Sequence, residues 1–264
     1  MAMTFCSFSS SSSGNCYLVK SENATVLVDA GISGRRICES LKNAGVSQDE
    51  VKAVLITHEH IDHVRSVRAV SRMLPQILTY ANRGTWKYIE NLVDEKRRVV
   101  FGTGEEFLVG DIKVKSFPLS HDAEEPVGFS LKSGGKQISI LTDTGTLPAD
   151  IYNEIEDADI LVLEANHDAD MLRMCRRPLF VKQRIAGDKG HLSNVDAADI
   201  ICRLISEKSK KRQVLLAHLS RENNFPEMAY QTIKNLLEEK NYHIGANVLL
   251  SIIARDEMSA AYTV

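Results

Sequence analysis

The sequence predicts an α/β protein of the α+β kind, with abundant strands and helices and a β-rich block in the middle. Short apolar or alternating runs bounded by turn residues fill the first part of the chain. The second part alternates such runs with longer helical patterns. Neither a Pro/Ser-rich linker nor an internal repeat interrupts the 264 residues, so residues 1–264 read as one domain.

Strands are expected at Thr4–Phe8, Tyr17–Lys20 and Thr25–Val28, with Ser9–Ser13, Gly14 and Asn15 as a tight loop between the first two. A helix over Gly34–Ala44 ends at Gly45, a C-capping glycine, and Ser47-Gln48-Asp49-Glu50 resembles a capping box before a strand at Ala53–Thr57. Helical patterns recur at Val64–Arg72 and Gly84–Leu92. Four strands follow, at Phe107–Val109, Ile112–Pro118, Val127–Lys132 and Gln137–Thr142, the last two joined by the hairpin signal Ser133-Gly134-Gly135-Lys136. Beyond them come a strand at Ile160–Glu164 and helices at Ala169–Cys175, Pro178–Ala186 and Asn194–Lys208. A strand at Gln213–Ala217, a helix at Pro226–Lys240 and a strand at Asn247–Ile253 complete the series.

Composition excludes several classes. Hydrophobic residues make up 44% and charged residues 25%, as in a soluble protein with a real core. The net charge of -3 gives no global nucleic-acid signal, although a local basic track stays possible. No apolar run approaches a membrane span, and the N-terminal residues lack the basic start and apolar core of a signal peptide. The five cysteines, Cys6, Cys16, Cys38, Cys175 and Cys202, are spread without a Cys-x-x-Cys pair and read as reduced thiols of a cytoplasmic protein. Nothing marks an obligate protein partner.

The most informative run is Thr57-His58-Glu59-His60-Ile61-Asp62-His63, directly after Val54-Leu55-Ile56. Imidazole and carboxylate at this density suit a first-row transition metal. His58 and His60 are two apart and project to one side of an extended segment. Asp62 and His63 follow where the chain turns into a helix, where they can face a second metal. Further ligand types stand at strand ends: His121 after Ile112–Phe117, Asp143 after Gln137–Leu141, and His218 after Gln213–Leu216.

Together with Val28-Asp29-Ala30-Gly31, these pieces give the chain a resemblance to the hydrolase branch of the metallo-β-lactamase superfamily, in the family's order. The resemblance implies a four-layer αβ/βα sandwich of two mixed sheets with helices outside. It also implies that His58, His60 and His121 hold one divalent ion, that Asp62, His63 and His218 hold a second, and that Asp143 bridges them. Asp29 would support the loop from beneath. Two such ions, zinc, manganese or iron, would share a hydroxide that attacks the substrate.

Within that superfamily, Ser12-Ser13-Gly14-Asn15-Cys16, Leu163-Glu164-Ala165-Asn166-His167-Asp168, Gly190-His191-Leu192-Ser193-Asn194 and His218-Leu219-Ser220-Arg221-Glu222-Asn223-Asn224 resemble the bacterial YycJ/WalJ group. That resemblance implies a cytosolic 5′-to-3′ exonuclease acting on DNA and linked to DNA repair. Asp62 and His191 are the expected catalytic residues, His191 as a proton donor to the leaving oxygen. Ser12, Ser13, Asn15, His191, Asn194 and Arg221 are the expected substrate contacts. One departure is a serine at position 11, where a glycine is expected. The cluster Arg173, Arg176, Arg177, Lys182, Arg184 and Lys189 reads equally as a phosphate track or a solvated helix face, and Arg65 and Arg68 read the same way. A small-molecule ester or thioester hydrolase and an RNA-processing nuclease are the alternatives on this site. A non-catalytic metal-binding regulator is the alternative of another class.

Overall fold

A computed structural model describes residues 2–208 and 210–264. The chain divides into two compact units. The first comprises residues up to Pro118, Ala123–Ile138 and Ala254–Val264; the second comprises Leu119–Asp122 and Ser139–Ile253.

The first unit holds strands β1 (Thr4–Ser11), β2 (Gly14–Lys20), β3 (Thr25–Val28), β4 (Val51–Leu55), β5 (Leu78–Asn82) and β6 (Arg98–Phe101). It also holds helices α1 (Gly34–Asn43), α2 (Ile61–Val64), α3 (Val67–Met73) and α4 (Arg83–Ile89). Strands β7 (Glu106–Val109), β8 (Ile112–Pro118) and β9 (Val127–Ser133) follow, and β10 (Lys136–Leu141) begins in the first unit and ends in the second. In the second unit lie α5 (Tyr152–Ile155), β11 (Ile160–Glu164), α6 (Ala169–Met174), α7 (Leu179–Ala186), α8 (Asn194–Glu207), β12 (Arg212–Ala217), α9 (Pro226–Glu239) and β13 (Val248–Ile252). The last strand, β14 (Tyr262–Thr263), returns to the first unit.

Two mixed sheets result. One runs β14-β1-β2-β3-β4-β5-β6 and the other β13-β12-β11-β10-β9-β8-β7. In the first sheet β1–β2 and β2–β3 are antiparallel, and β3, β4, β5 and β6 are parallel. Leu27 and Val54 of this sheet pack with Ile37, Leu41, Val70 and Trp86 of α1, α3 and α4 in one buried cluster. Strands buried on both sides need such near-continuous apolar runs. Trp86 therefore serves the core, with its indole N–H donated to the Val99 carbonyl at 3.1 Å. Among the described residues no helix is long and apolar enough to cross a membrane. All five cysteines are free.

The expected elements are present, with differences at the serine run, in the helix after the ligand loop, and in one short helix, α5, and three strands that were not expected. The serine run is strand rather than loop: β1 continues to Ser11, which pairs with Gly14, and only Ser12 and Ser13 turn. Ser9, Ser10 and Ser11 are buried, and the Ser10 hydroxyl bonds the Tyr17 hydroxyl at 2.8 Å, which lets polar side chains sit inside a sheet. The helix expected at Val64–Arg72 is broken into α2 and α3 at Arg65-Ser66, where the Ser66 amide donates to the Ala30 carbonyl at 2.8 Å instead of continuing the helix. The segment Gln48–Glu50 forms a 3-10 turn with its capping box complete. Strands β5, β6 and β14 were not expected. They are short, and their backbone groups are satisfied by partners distant in sequence, a pairing that leaves little trace in a five-residue window.

Candidate metal centre

In the first unit the ligand loop leaves the C-terminal end of β4. Its floor is Asp29, fully buried just past β3, with a left-handed φ of 62°. One carboxylate oxygen of Asp29 accepts the Thr57 amide at 2.9 Å, and the other accepts the Thr57 hydroxyl at 2.9 Å. That second oxygen also accepts His63 Nδ1 at 2.7 Å. Burial pushes the Asp29 carboxyl above its ordinary range, and His63 and Thr57 work in the opposite direction. His58 Nδ1 lies 3.0 Å from the Thr57 hydroxyl, and His58 Nε2 lies 3.1 Å from His60 Nδ1. His63 Nε2 faces the Asp62 carboxylate at 3.6 Å and the Asn15 carboxamide nitrogen at 3.0 Å.

Gly31 lets this loop close. A Cβ there would lie 1.6 Å from the Asp62 carbonyl oxygen, so no side chain fits without moving the loop. Gly31→Ala is expected to displace Asp62, destabilise the protein by about 3 kcal/mol or more, and lower metal uptake. Urea melts and metal stoichiometry check this; an unchanged midpoint with full metal content would refute it.

In the second unit the same construction recurs at other strand ends. Asp143 follows β10 with a φ of 64°, and His218 follows β12 with a φ of 54°. With Asp29 they are three of the four non-glycine residues at positive φ among the described residues, and such strain clusters where geometry serves function. The ligand atoms of Asp143, Glu164, His191 and His218 all lie within 4.8 Å of one another. Asp143 Oδ1 stands 3.4 Å from His218 Nδ1, 3.7 Å from His191 Nδ1 and 3.9 Å from His121 Nε2. His121 Nδ1 is 3.2 Å from the Gly190 carbonyl oxygen.

Glu164, at the end of β11, was not singled out as a functional residue. It is fully buried and accepts His191 Nδ1 at 2.8 Å, His218 Nδ1 at 2.7 Å, and the amides of Thr144 and Leu192 at 3.1 and 3.2 Å. Burial opposes its charge, but His191 and His218 outweigh burial and hold the carboxyl down at about 2. Burial likewise opposes protonation of His191, yet the carboxylates of Glu164 and Asp143 raise that ring above its ordinary value. The sequence signals for Glu164 are a charged residue closing an apolar strand and its place in the Leu163–Asp168 motif, neither of which assigns it a role.

The donor chemistry fits a metal. The Nδ1 atoms of His58, His63, His121 and His218 each sit against an oxygen: a hydroxyl, a carboxylate, a carbonyl and a carboxylate. Protons on those nitrogens leave each Nε2 as the lone-pair donor, the arrangement that orients metal-binding imidazoles. The 3.1 Å between ring nitrogens of His58 and His60 is close to the about 3.3 Å separating two ligands of a tetrahedral ion at Zn–N of about 2.0 Å.

A family profile described as "Beta-lactamase superfamily domain" matches residues 24–219. The chain belongs to the metallo-β-lactamase superfamily. It is 36% identical over 248 residues to "Exodeoxyribonuclease YycJ" of Bacillus anthracis, covering 93% of each chain. It is 37% identical over 243 residues to "Exodeoxyribonuclease WalJ" of Streptococcus pneumoniae, covering 90% of this chain and 89% of that one. Its fold is similar to the metallo-β-lactamase fold protein YhfI from Bacillus subtilis, with a TM-score of 0.75, 14% identity and full coverage of both chains. As a member of this superfamily the chain is an enzyme of the metal-dependent hydrolase type, with histidine and aspartate clusters suited to metal.

The expected substrate contacts of this superfamily member are placed as follows. Ser12 and Ser13 form the exposed β1–β2 turn, whereas Asn15 is buried against His63. Ser193 caps α8 through a capping box with Asp196, and the adjoining Asn194 is buried, with reciprocal carboxamide bonds to Asn224 at 3.2 and 2.8 Å. Arg221 is exposed. In the basic cluster of the second unit, Arg173 pairs with Asp170, Arg177 with Glu222 and Arg184 with Asp122. His243 is an exposed loop residue. His167 is buried, and its Nδ1 has no hydrogen-bond partner among the described residues.

Proposed function

We propose that the chain is a phosphodiesterase that digests DNA from the 5′ end with two bound divalent ions, acting as one catalytic domain in the cytoplasm and contributing to DNA repair. The observation that carries this reading is the identity of 36% and 37%, over at least 90% of this chain, to two exodeoxyribonucleases. The intact set of ligand residues supports it. By the family's pattern His58, His60 and His121 would hold one ion, Asp62, His63 and His218 the other, and Asp143 both. Zinc, manganese and iron all suit imidazole and carboxylate without thiolate. When bound, such ions supply a nucleophilic water of lowered pKa and neutralise charge on the attacked phosphate.

The protein's own groups do the rest. Asp29 and Thr57 fix the ring orientations of His58 and His63, so no ligand has to reorganise during reaction. Glu164 does the same for His218. It also accepts a hydrogen bond from the Nδ1–H of His191, which supports the protonated ring whose Nε2–H can protonate the departing alkoxide. A leaving group of high pKa needs such an acid. Ser12, Ser13, Asn15, Asn194 and Arg221 are proposed to contact the substrate strand, Arg221 through a bidentate phosphate contact.

The decisive experiment is digestion of end-labelled linear duplex DNA with manganese, comparing 5′-phosphate and 5′-hydroxyl ends. Stepwise mononucleotide release from the 5′ end is expected. No release with manganese, zinc or iron, from protein shown to hold metal, would overturn the nuclease reading in favour of a small ester or thioester substrate. A second test isolates the acid. His191→Ala is expected to slow DNA hydrolysis about 100-fold or more, and cleavage of an aryl phosphodiester about tenfold or less, because an aryl oxide leaves unprotonated. Equal losses on both substrates would remove the proton-donor role.

A further inference from the structure

Immediately after the ligand loop the chain carries arginine at positions 65, 68 and 72, all exposed. Arg68 and Arg72 stand four apart on α3 and share one of its faces. With Arg97 they line a cavity of about 320 Å³, completed by Ser71 and the segment Asn91–Asp94. Three cations and one carboxylate, Asp94, face this cavity, in a chain whose net charge is -3.

Three of these four guanidinium groups are held by backbone carbonyls, as are those of Arg36 and Arg98. Arg65 donates to the Ser13 carbonyl at 2.9 Å, Arg68 to the Asn91 carbonyl at 3.1 Å, and Arg97 to the Ser71 carbonyl. Carbonyls orient a guanidinium without cancelling its charge, and each occupies few of its five N–H donors. Among the described residues no carboxylate pairs with any of these four arginines. Arg35, Arg173, Arg177, Arg184 and Arg203 each pair with one. The Asp94 carboxylate is itself engaged by the Lys96 amide at 3.1 Å.

We propose that Arg65, Arg68, Arg72 and Arg97 form a phosphate track that holds a polynucleotide strand beyond its scissile end. The substrate would then be a polymer rather than a small ester. This inference rests on the nuclease reading above. Oriented, unneutralised guanidinium groups are suited to bidentate phosphate contacts. The four residues from Arg68 to Arg72 span about 6 Å of helix, close to two steps of a strand that rises about 3.4 Å per nucleotide. In sequence the arginines begin two residues past His63, and Arg68 and Arg72 follow on α3.

The test is binding of a fluorescent single strand of about 20 nucleotides to full-length protein in chelator, by anisotropy across a salt series. The Arg68→Gln/Arg72→Gln variant keeps polar side chains at two exposed positions. Its affinity is expected to fall about tenfold or more at low salt, and its slope of log affinity against log salt to flatten by about 0.7 per charge removed. Unchanged affinity and slope would overturn the track. Displacement of the strand from wild type by inorganic pyrophosphate at matched phosphate concentration would overturn it too, in favour of a small-anion site. Because neither metal nor turnover enters, the two readings fail separately. Arginine-dependent strand binding by a protein that releases no nucleotide overturns only the nuclease. Full digestion with an unchanged KM in the double variant overturns only the track.

Discussion

Asp143→Ala is expected to abolish hydrolysis and to lower bound metal below the wild-type stoichiometry. Asp143 is 2% exposed, and its Oδ1 has ring nitrogens of His218, His191 and His121 at 3.4, 3.7 and 3.9 Å. This buried carboxylate adds negative charge among three imidazoles, two of which also face Glu164. A residue that merely supports ligands costs about 10–100-fold in activity when removed; a bridging ligand should cost more. Metal analysis beside a nuclease assay separates the cases. Full metal content with lost turnover would leave Asp143 a catalytic role but not a bridging one, and unchanged turnover would remove both.

Glu164→Gln is expected to weaken metal binding by about 10–100-fold, although Glu164 stands behind the ligands. Its carboxylate accepts four hydrogen bonds, from His191, His218, Thr144 and Leu192. A carboxamide offers one oxygen and brings two donors of its own, so at least one buried donor loses its acceptor, at about 1–3 kcal/mol. The acid dependence should change as well. The folded-state carboxyl lies at about 2 against an ordinary 4.5. A depressed pKa means that the stabilisation is present above pH 4.5 and is lost as pH falls through that interval to about 2. In metal-free protein the stability gap between wild type and variant should therefore close between those limits, as urea melts would show. A gap independent of pH would mean that charge on Glu164 does not support the fold.

The difference between Asp143 and Glu164 shows what a sequence discloses. Asp143 was legible because it stands between Leu141-Thr142 and Thr144-Gly145, a short local pattern after an apolar strand. Glu164 also ends an apolar strand. Its meaning comes from His191 and His218, 27 and 54 positions away, and no local pattern records that convergence. The same division runs through the fold. The hairpin at Gly134 and Gly135 was legible because both residues take left-handed φ, of 57° and 76°, which glycine adopts at no steric cost. The break between α2 and α3 was not, because the Ser66 amide finds its acceptor at Ala30, on another segment.

Residue identity and spacing alone were enough to name the chemistry. Three imidazoles and a carboxylate within six residues can serve few purposes besides metal, and the strand ends that carry the other ligand types follow from short-range apolar patterns. Three-dimensional packing settled what depends on distant partners: which nitrogen of each histidine is turned toward an oxygen, how deeply Asp29 and Glu164 are buried, and which arginines pair with a carboxylate. Side-chain orientation, desolvation and ion pairing are properties of neighbourhoods, and a neighbourhood assembled from Asp29, Thr57 and His63, or from Glu164, His191 and His218, exists only once the chain has folded.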